Sequence, residues 1–427
     1  MTNRCKEKGN DSKKNNQSQT KIKVTLINQF FPPDYAATGQ LLDQLTKLLI
    51  KKNIFFLILT VLPNYAFKKN YSINEKIETN RRILRFRTSF RGRNIKVKTI
   101  NGLLFSIKIF IKLLKKENRS DLIIFTSEPP FLVFFINIIY LLFKIPYIYL
   151  IYDLYPDTIV NLNILNQKNT IVRFWYGLNK FCLKNSKNII LLSELMKEKC
   201  LLNYGEELKN KIKVIPSWSD INEIKPLSKE KNKFIKKQNL VDKFIVLYSG
   251  NQGRMHDIET LLSAANYLKR DDEILFLFIG DGPLNFKIKE FTKLYDLKNI
   301  KSLPYQPFED LPETLTSADI AVVSTSKNAT SLIAPSKLYG HLASATPIAL
   351  ISSKSSYIRF MIEKNNCGKW FANGNFKSLS KWIIELKENG DLRKKISSSS
   401  RKLSEKISDP DNIANKYFEV ILDSINK

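Results

Sequence analysis

The sequence predicts an α/β protein made of two doubly wound domains facing a central cleft, and three observations predict it. Short apolar runs of strand length alternate with helix-length stretches at Lys23 to Asn28, Phe55 to Leu59, Leu122 to Phe125, Tyr147 to Tyr152 and Asn188 to Leu192. A second series of the same kind runs through Phe244 to Tyr248, Ile274 to Ile279, Ile320 to Val323 and Ile348 to Ile351. Between them, in Ile215 to Leu240, apolar periodicity lapses while Pro216, Pro226 and lysines accumulate, as in a domain connection. Strand and helix in alternation imply parallel sheets covered on both faces. A chain of 427 residues also exceeds what one core normally supports.

The organisation expected in chain order begins with a disordered basic tail at 1–20, polar throughout and with no apolar segment of the kind a signal peptide needs. A first domain at 21–215, a linker at 216–240 and a second domain at 241–405 follow. The last stretch, 406–427, is expected to be a helix packing back toward the first domain. Cys5, Cys182, Cys200 and Cys367 are scattered without metal-ligand or disulfide spacing, which fits a reducing cytoplasm and no metal site.

The formal charge is +29, from 69 Lys and Arg against 40 Asp and Glu. Such an excess suits phosphate-bearing partners, although a Lys-, Asn- and Ile-rich genome would also produce it. No nucleic-acid recognition module accompanies the charge, so nucleic acid is not an expected partner. The apolar run from Phe131 to Ile151 approaches the length of a membrane span, but Lys144 and Pro146 divide it into a helix, Phe131 to Phe143, and a buried strand, Tyr147 to Tyr152. The segment NGLLFSIKIFIKLLKKENR, Asn101 to Arg119, spaces apolar residues helically among four lysines and an arginine, and RRILRFRTSFRGR upstream adds six arginines. The pattern suits either the interface of an anionic membrane or a core helix with a solvated basic face.

In doubly wound sheets, ligands sit beyond the carboxyl ends of strands, where loop amides and helix N-termini favour anions. The first strand runs into FFPPDYAATG, whose Gly39 permits close approach of backbone to a diphosphate or serves an ordinary strand-to-helix turn. The second series opens with LYSGNQGR, placing Gly250, Asn251, Gly253 and Arg254 just after a strand, the arginine offering a fork for phosphate oxygens. This is neither a P-loop nor a dinucleotide fingerprint. The next strand ends in FIGDGP, with Gly280 and Gly282, and Ser336 and Lys337 open a helix in PSKLYGHLASATPIA. Lys337 alone is equally an ordinary surface lysine; beside the other loops it completes a cationic cradle.

These segments, with YDLYPD, LLSELM, VIPSWSD and LPETLTSAD, follow one another in the order found in glycosyltransferase family 4, which the chain resembles from about Ile22 to near its C-terminus. The family comprises retaining enzymes of the GT-B fold, two Rossmann-like domains about a cleft, and the resemblance is to transferases of capsule, O-antigen and colanic-acid synthesis. It implies a nucleotide-sugar donor as co-substrate and no further cofactor or metal. The diphosphate would lie near Gly250, Arg254, Ser336 and Lys337, the base near Tyr305, and Gly39 would approach from the other domain. It also implies a lipid-linked saccharide acceptor and a peripheral site on the inner face of the cell membrane. Asp153, at the end of a first-domain strand, is the candidate to orient or deprotonate the acceptor hydroxyl, with Glu128 and Asp157 as competing carboxylates and a structural cap as the plain alternative. Two departures stand out. Relatives carry a pair of glutamates where this chain has Leu332 and Gly340, and a histidine where it has Tyr152 and Asp153. The first leaves an inactive transferase-like scaffold as a rival reading, and a nucleotide-sugar epimerase of similar shape is another.

Overall fold

The computed structural model describes residues 21–34, 36–63, 75–88 and 95–426. The expected tail at 1–20, and Arg91 and Arg93 of the arginine-rich segment, lie outside the described residues. The first half contributes β1 (Ile22–Ile27), β2 (Ile54–Val61), β3 (Glu75–Glu78), β4 (Arg81–Phe86), β5 (Leu122–Thr126), β6 (Tyr147–Ile151), β7 (Asn188–Leu191) and β8 (Ile212–Val214). They form one sheet in the order β3-β4-β2-β1-β5-β6-β7-β8, parallel except for the edge pair β3–β4. The second half contributes β9 (Phe244–Ser249), β10 (Ile274–Ile279), β11 (Ile300–Leu303), β12 (Ile320–Ser324), β13 (Ile348–Ser352) and β14 (Gly368–Ala372). These form a parallel sheet in the order β11-β10-β9-β12-β13-β14.

Both sheets reverse their winding at the first strand, β1 lying between β2 and β5, and β9 between β10 and β12. Chains leave such neighbours in opposite directions and open a crevice beyond their carboxyl ends. The central strands are apolar on both faces and wholly buried, as a sheet covered by helices on either side requires. Helices end where the sequence forces them to. Lys144 takes a left-handed φ of 56° and closes the Leu132–Phe143 helix before Pro146 leads into β6. Among the described residues no helix is long and apolar enough to cross a membrane.

The last helix, Pro410–Asn426, leaves the second half and packs Ile413, Ala414, Tyr417, Val420 and Ile421 into the core of the first. Between the sheets, a short Lys233–Lys237 helix occupies part of the connection, capped by the buried Asn232. The arginine-rich segment requires a correction. Arg81 is buried and bonds Asp43 at 2.7 Å as well as Glu78, and Arg85 is buried and donates to the Pro32 carbonyl at 2.8 Å. Neither is free to meet a membrane, because β4 pairs with β2 and turns these side chains inward.

Candidate functional site

The carboxyl ends of β9 and β10 meet edge to edge. Gly250, at φ of +116°, donates its amide to Ile279 and presents its carbonyl to Gly280, where any Cβ would collide with that oxygen. Gly280 (φ +130°) and Gly282 (φ +158°) turn the next loop, and a Cβ on Gly282 would lie 2.6 Å from the Gln252 carbonyl oxygen and 2.7 Å from Asn251 Oδ1. Only glycine satisfies both the left-handed backbone and the missing space. Tyr305 closes a third side, its hydroxyl reaching the Asp281 carbonyl at 3.4 Å.

Lys337 enters this corner from the first turn of the seven-residue Lys337–Ala343 helix, for which Ser336 is the N-terminal residue without a side-chain cap. Its stem passes Gly250, and its Nζ donates to the Tyr248 hydroxyl at 2.8 Å and reaches the Asn251 carbonyl at 3.4 Å. The ammonium also lies 4.0 Å from the centroid of the Tyr248 ring. A cation–π contact contributes about 0.5–2 kcal/mol, less than the hydration such an ammonium gives up. The residue keeps some solvent contact, yet desolvation pushes its pKa down to about 7. Tyr248 had no signal in the sequence beyond ending an apolar run, and it is the residue that aims the cation.

Two histidines flank the corner. His256 pairs Nδ1 with the Ser324 carbonyl at 2.8 Å, and His341 is buried with neither ring nitrogen hydrogen-bonded among the described residues. Burial first, and the Lys337 charge second, push both pKa values down to about 3, so both rings are neutral near pH 7. Arg254 follows on the same loop, exposed and without an ion-pair partner among the described residues. Gly39 belongs to the first half. It sits in the first turn of the Ala37–Leu49 helix, where a Cβ would lie 2.8 Å from the Phe30 carbonyl oxygen, so its lack of a side chain lets that helix pack on Phe30 and Phe31.

Across the cleft stands Asp153. Its backbone forms an isolated antiparallel bridge with Ile333, its amide donates to Ser127 Oγ at 3.1 Å, and the next amide, of Leu154, donates to the Leu332 carbonyl at 3.2 Å. The loop that carries Leu332 thus joins the two halves. Leu332, 4% exposed, is packed in the core of the first half with Ala329 and Met255. A Cβ at Gly340 would point at Leu315 and Ser219. Leu332 and Gly340 therefore both do structural duty here. Burial raises the Asp153 pKa to about 8, and the neighbouring Glu128 charge adds to the rise. Glu128 is itself raised by burial against the opposing pull of Lys98. Asp157 drops out as a competitor, because both its oxygens accept from Asn203 Nδ2, at 2.9 and 3.0 Å, and Lys199 lies 3.5 Å away.

Residues 230–403 match the family described as Glycosyl transferases group 1. The fold is GT-B, two α/β domains with parallel sheets, as in Anabaena Alr3699/HepE, determined in complex with UDP-glucose. That structure superposes with a TM-score of 0.69 over 94% of this chain and 99% of its own, at 14% identity. Among curated proteins, the probable glycosyltransferase WbjE of Pseudomonas aeruginosa is 25% identical over 62% of this chain. The putative colanic acid biosynthesis glycosyl transferase WcaI of Escherichia coli is 30% identical over 38%. The matched region spans 65% and 39% of the lengths of these two relatives.

Because both histidines are held neutral, their ring resonances in NMR spectra are expected not to titrate between about pH 5 and pH 8. A midpoint near 6.5 for either would contradict the desolvated corner.

Proposed function

We propose that the protein is a retaining glycosyltransferase of family 4. In this reading it moves a hexosyl or N-acetylhexosaminyl group from a nucleotide sugar to a lipid-linked saccharide acceptor during synthesis of a capsule-, O-antigen- or colanic-acid-type polysaccharide. The observation that carries the reading is the convergence of Lys337 with the glycine-bearing ends of β9 and β10, across the cleft from Asp153. A leaving diphosphate set there meets the Lys337 ammonium and the Arg254 guanidinium, where its developing charge needs stabilising. This arrangement needs no metal ion. Binding of the diphosphate draws Lys337 back to its charged form, since an anion favours the protonated amine. Tyr305 lines the side suited to the base. Asp153, its pKa raised into the working range, orients the acceptor hydroxyl and takes its proton.

The expected test is transfer with a panel of nucleotide-sugar donors. Lys337→Ala lowers turnover by roughly 10²-fold or more, and Arg254→Ala lowers it less because that side chain is exposed. Both variants should keep the wild-type melting temperature. Undiminished transfer in the two variants refutes the cradle, and absence of transfer by the wild type with every donor of the panel favours the scaffold reading.

The pH profile of kcat/KM follows from the two groups. Asp153 acts ionised and Lys337 charged, and with the acid raised to about 8 and the ammonium lowered to about 7 the active form is a minor species of the free enzyme, so activity climbs up to about pH 7 and falls above about pH 8. The product is a narrow bell. Glu128→Gln removes a negative neighbour, lowers the Asp153 pKa and moves the rising limb to lower pH, and Asp153→Asn abolishes that limb. A profile unchanged in both variants makes Asp153 a structural residue.

For the membrane, the supporting surface is the face of three adjoining helices in the first half. Ile100, Leu103, Ile111 and Leu114 are exposed on Ile95–Leu114, Phe134, Leu141 and Leu142 on Leu132–Phe143, and Ile171, Phe174 and Phe181 on Thr170–Asn185. Phe110–Phe135 ring contact and the Asn137–Leu178 hydrogen bond join these helices into one face. Lys115, Lys116, Lys144, Arg173, Lys180 and Lys184 stand exposed among the apolar groups, a complement to anionic headgroups. Sedimentation with vesicles containing phosphatidylglycerol is expected for the wild type and is lost in a Leu142→Ser/Phe174→Ser double variant. Equal binding to neutral vesicles, or none to anionic ones, contradicts this docking.

A further inference from the structure

Beyond the carboxyl ends of β5 and β6 lies a row of aromatic rings separate from the Lys337 corner. Trp175 lies parallel to Tyr155, with 1° between the ring planes and 5.9 Å between centroids, and Phe131 continues the row at 6.4 Å and 20° from Trp175. Such rows also occur in cores. The Phe125–Tyr149 pair, stacked at 4.5 Å, is one, and both of its members are buried. Phe131, Trp175 and Tyr155, by contrast, all keep solvent contact. Their positions are fixed rather than loose. Asn179, four residues beyond Trp175 on the same helix face, is buried and donates to the Tyr155 carbonyl at 2.6 Å, tying the Tyr155 backbone to the helix that carries Trp175.

The row is next to the two carboxylates. Tyr155 follows Asp153 by two residues and Phe131 follows Glu128 by three. Burial and then the charges of Glu128 and Asp153 drive the Tyr155 phenol well above its ordinary pKa, so both carboxyl groups act on that ring directly. A hydrocarbon chain laid on this row would desolvate two carboxyl groups without bonding them, which is costly. A pyranose ring matches the surroundings better, having an apolar C–H face for the aromatic planes and a rim of hydroxyls for Asp153 and Glu128.

We infer that Phe131, Trp175 and Tyr155 form a stacking platform for the pyranose ring of the acceptor, with Asp153 and Glu128 taking hydrogen bonds from its hydroxyls. The inference rests on the transferase reading for the word acceptor, and on the row of rings for the site itself. It places the accepting hydroxyl beside Asp153, and puts the platform on the Thr170–Asn185 helix whose outer face bears Ile171 and Phe174, so that a lipid-borne saccharide reaches the cleft from that side.

The experiment is saturation-transfer NMR on the full-length protein with octyl β-glucoside and octyl β-N-acetylglucosaminide below their micelle concentrations. Each molecule offers a sugar ring and a hydrocarbon chain to the same surface. In the wild type the ring C–H protons of at least one glycoside receive saturation, and Trp175→Leu weakens its binding by about tenfold, the size of one aromatic stacking contact. Phe131→Leu, a half-exposed position, gives a smaller loss and stands in if Trp175→Leu does not fold. Saturation confined to the octyl protons, absence of binding by both glycosides, or glycoside binding unchanged in both variants overturns the platform. Nucleoside diphosphate binding, read by thermal shift in the same samples, is expected to be equal in wild type and variants. Its absence in the wild type refutes the donor reading independently of the ring result.

Discussion

The cleft depends on one constraint, the backbone junction at which the loop of Leu332 and Ile333 is held against the end of β6. Leu332 is buried in the core of the first half, its carbonyl accepts from Leu154, and Ile333 bridges Asp153. Lys337 follows Ile333 by four residues, and four residues of chain span at most about 14 Å. The acid on one wall and the cation on the other are therefore held near each other by one backbone bridge and four residues of chain. An apolar residue at position 332 serves this junction where a charged one would have to be buried unpaired.

Around that junction each wall has a distinct electrostatic character. On the second half, tightly turned glycine loops surround a desolvated Lys337, whose amine an arriving anion would favour in its charged form. On the first half, two half-buried carboxyl groups lie where desolvation opposes the ionisation of both. In the proposed transferase reading, a proton-poor cation opposite a proton-rich acid suits a phosphate leaving group and a hydroxyl nucleophile.

Much of this was legible in the sequence wherever local chemistry leaves a mark. Gly250, Gly280 and Gly282 were legible because left-handed backbone at a strand end admits little else, and the central strands because burial on both faces demands unbroken apolar runs. Strands β4 and β11 were not, since Arg81 and Arg85 are buried by pairing and IKSL alternates too weakly to read as a strand. Tyr248 looked like core filler, and only the approach of a helix far along the chain gives it the task of aiming Lys337. The rings of Phe131, Tyr155 and Trp175 lie on separate elements, and their alignment exists only once β5, β6 and the Thr170–Asn185 helix are assembled.

The central claim is that the corner around Lys337 is a diphosphate site whose cation is charged on demand. The direct measurement is the thermal shift produced by a panel of nucleoside diphosphates and nucleotide sugars at about pH 6.5 and about pH 8.5. The account predicts that one nucleotide raises the melting temperature, and more at the lower pH, where Lys337 is already protonated. Absence of a shift with every member of the panel at either pH would contradict it.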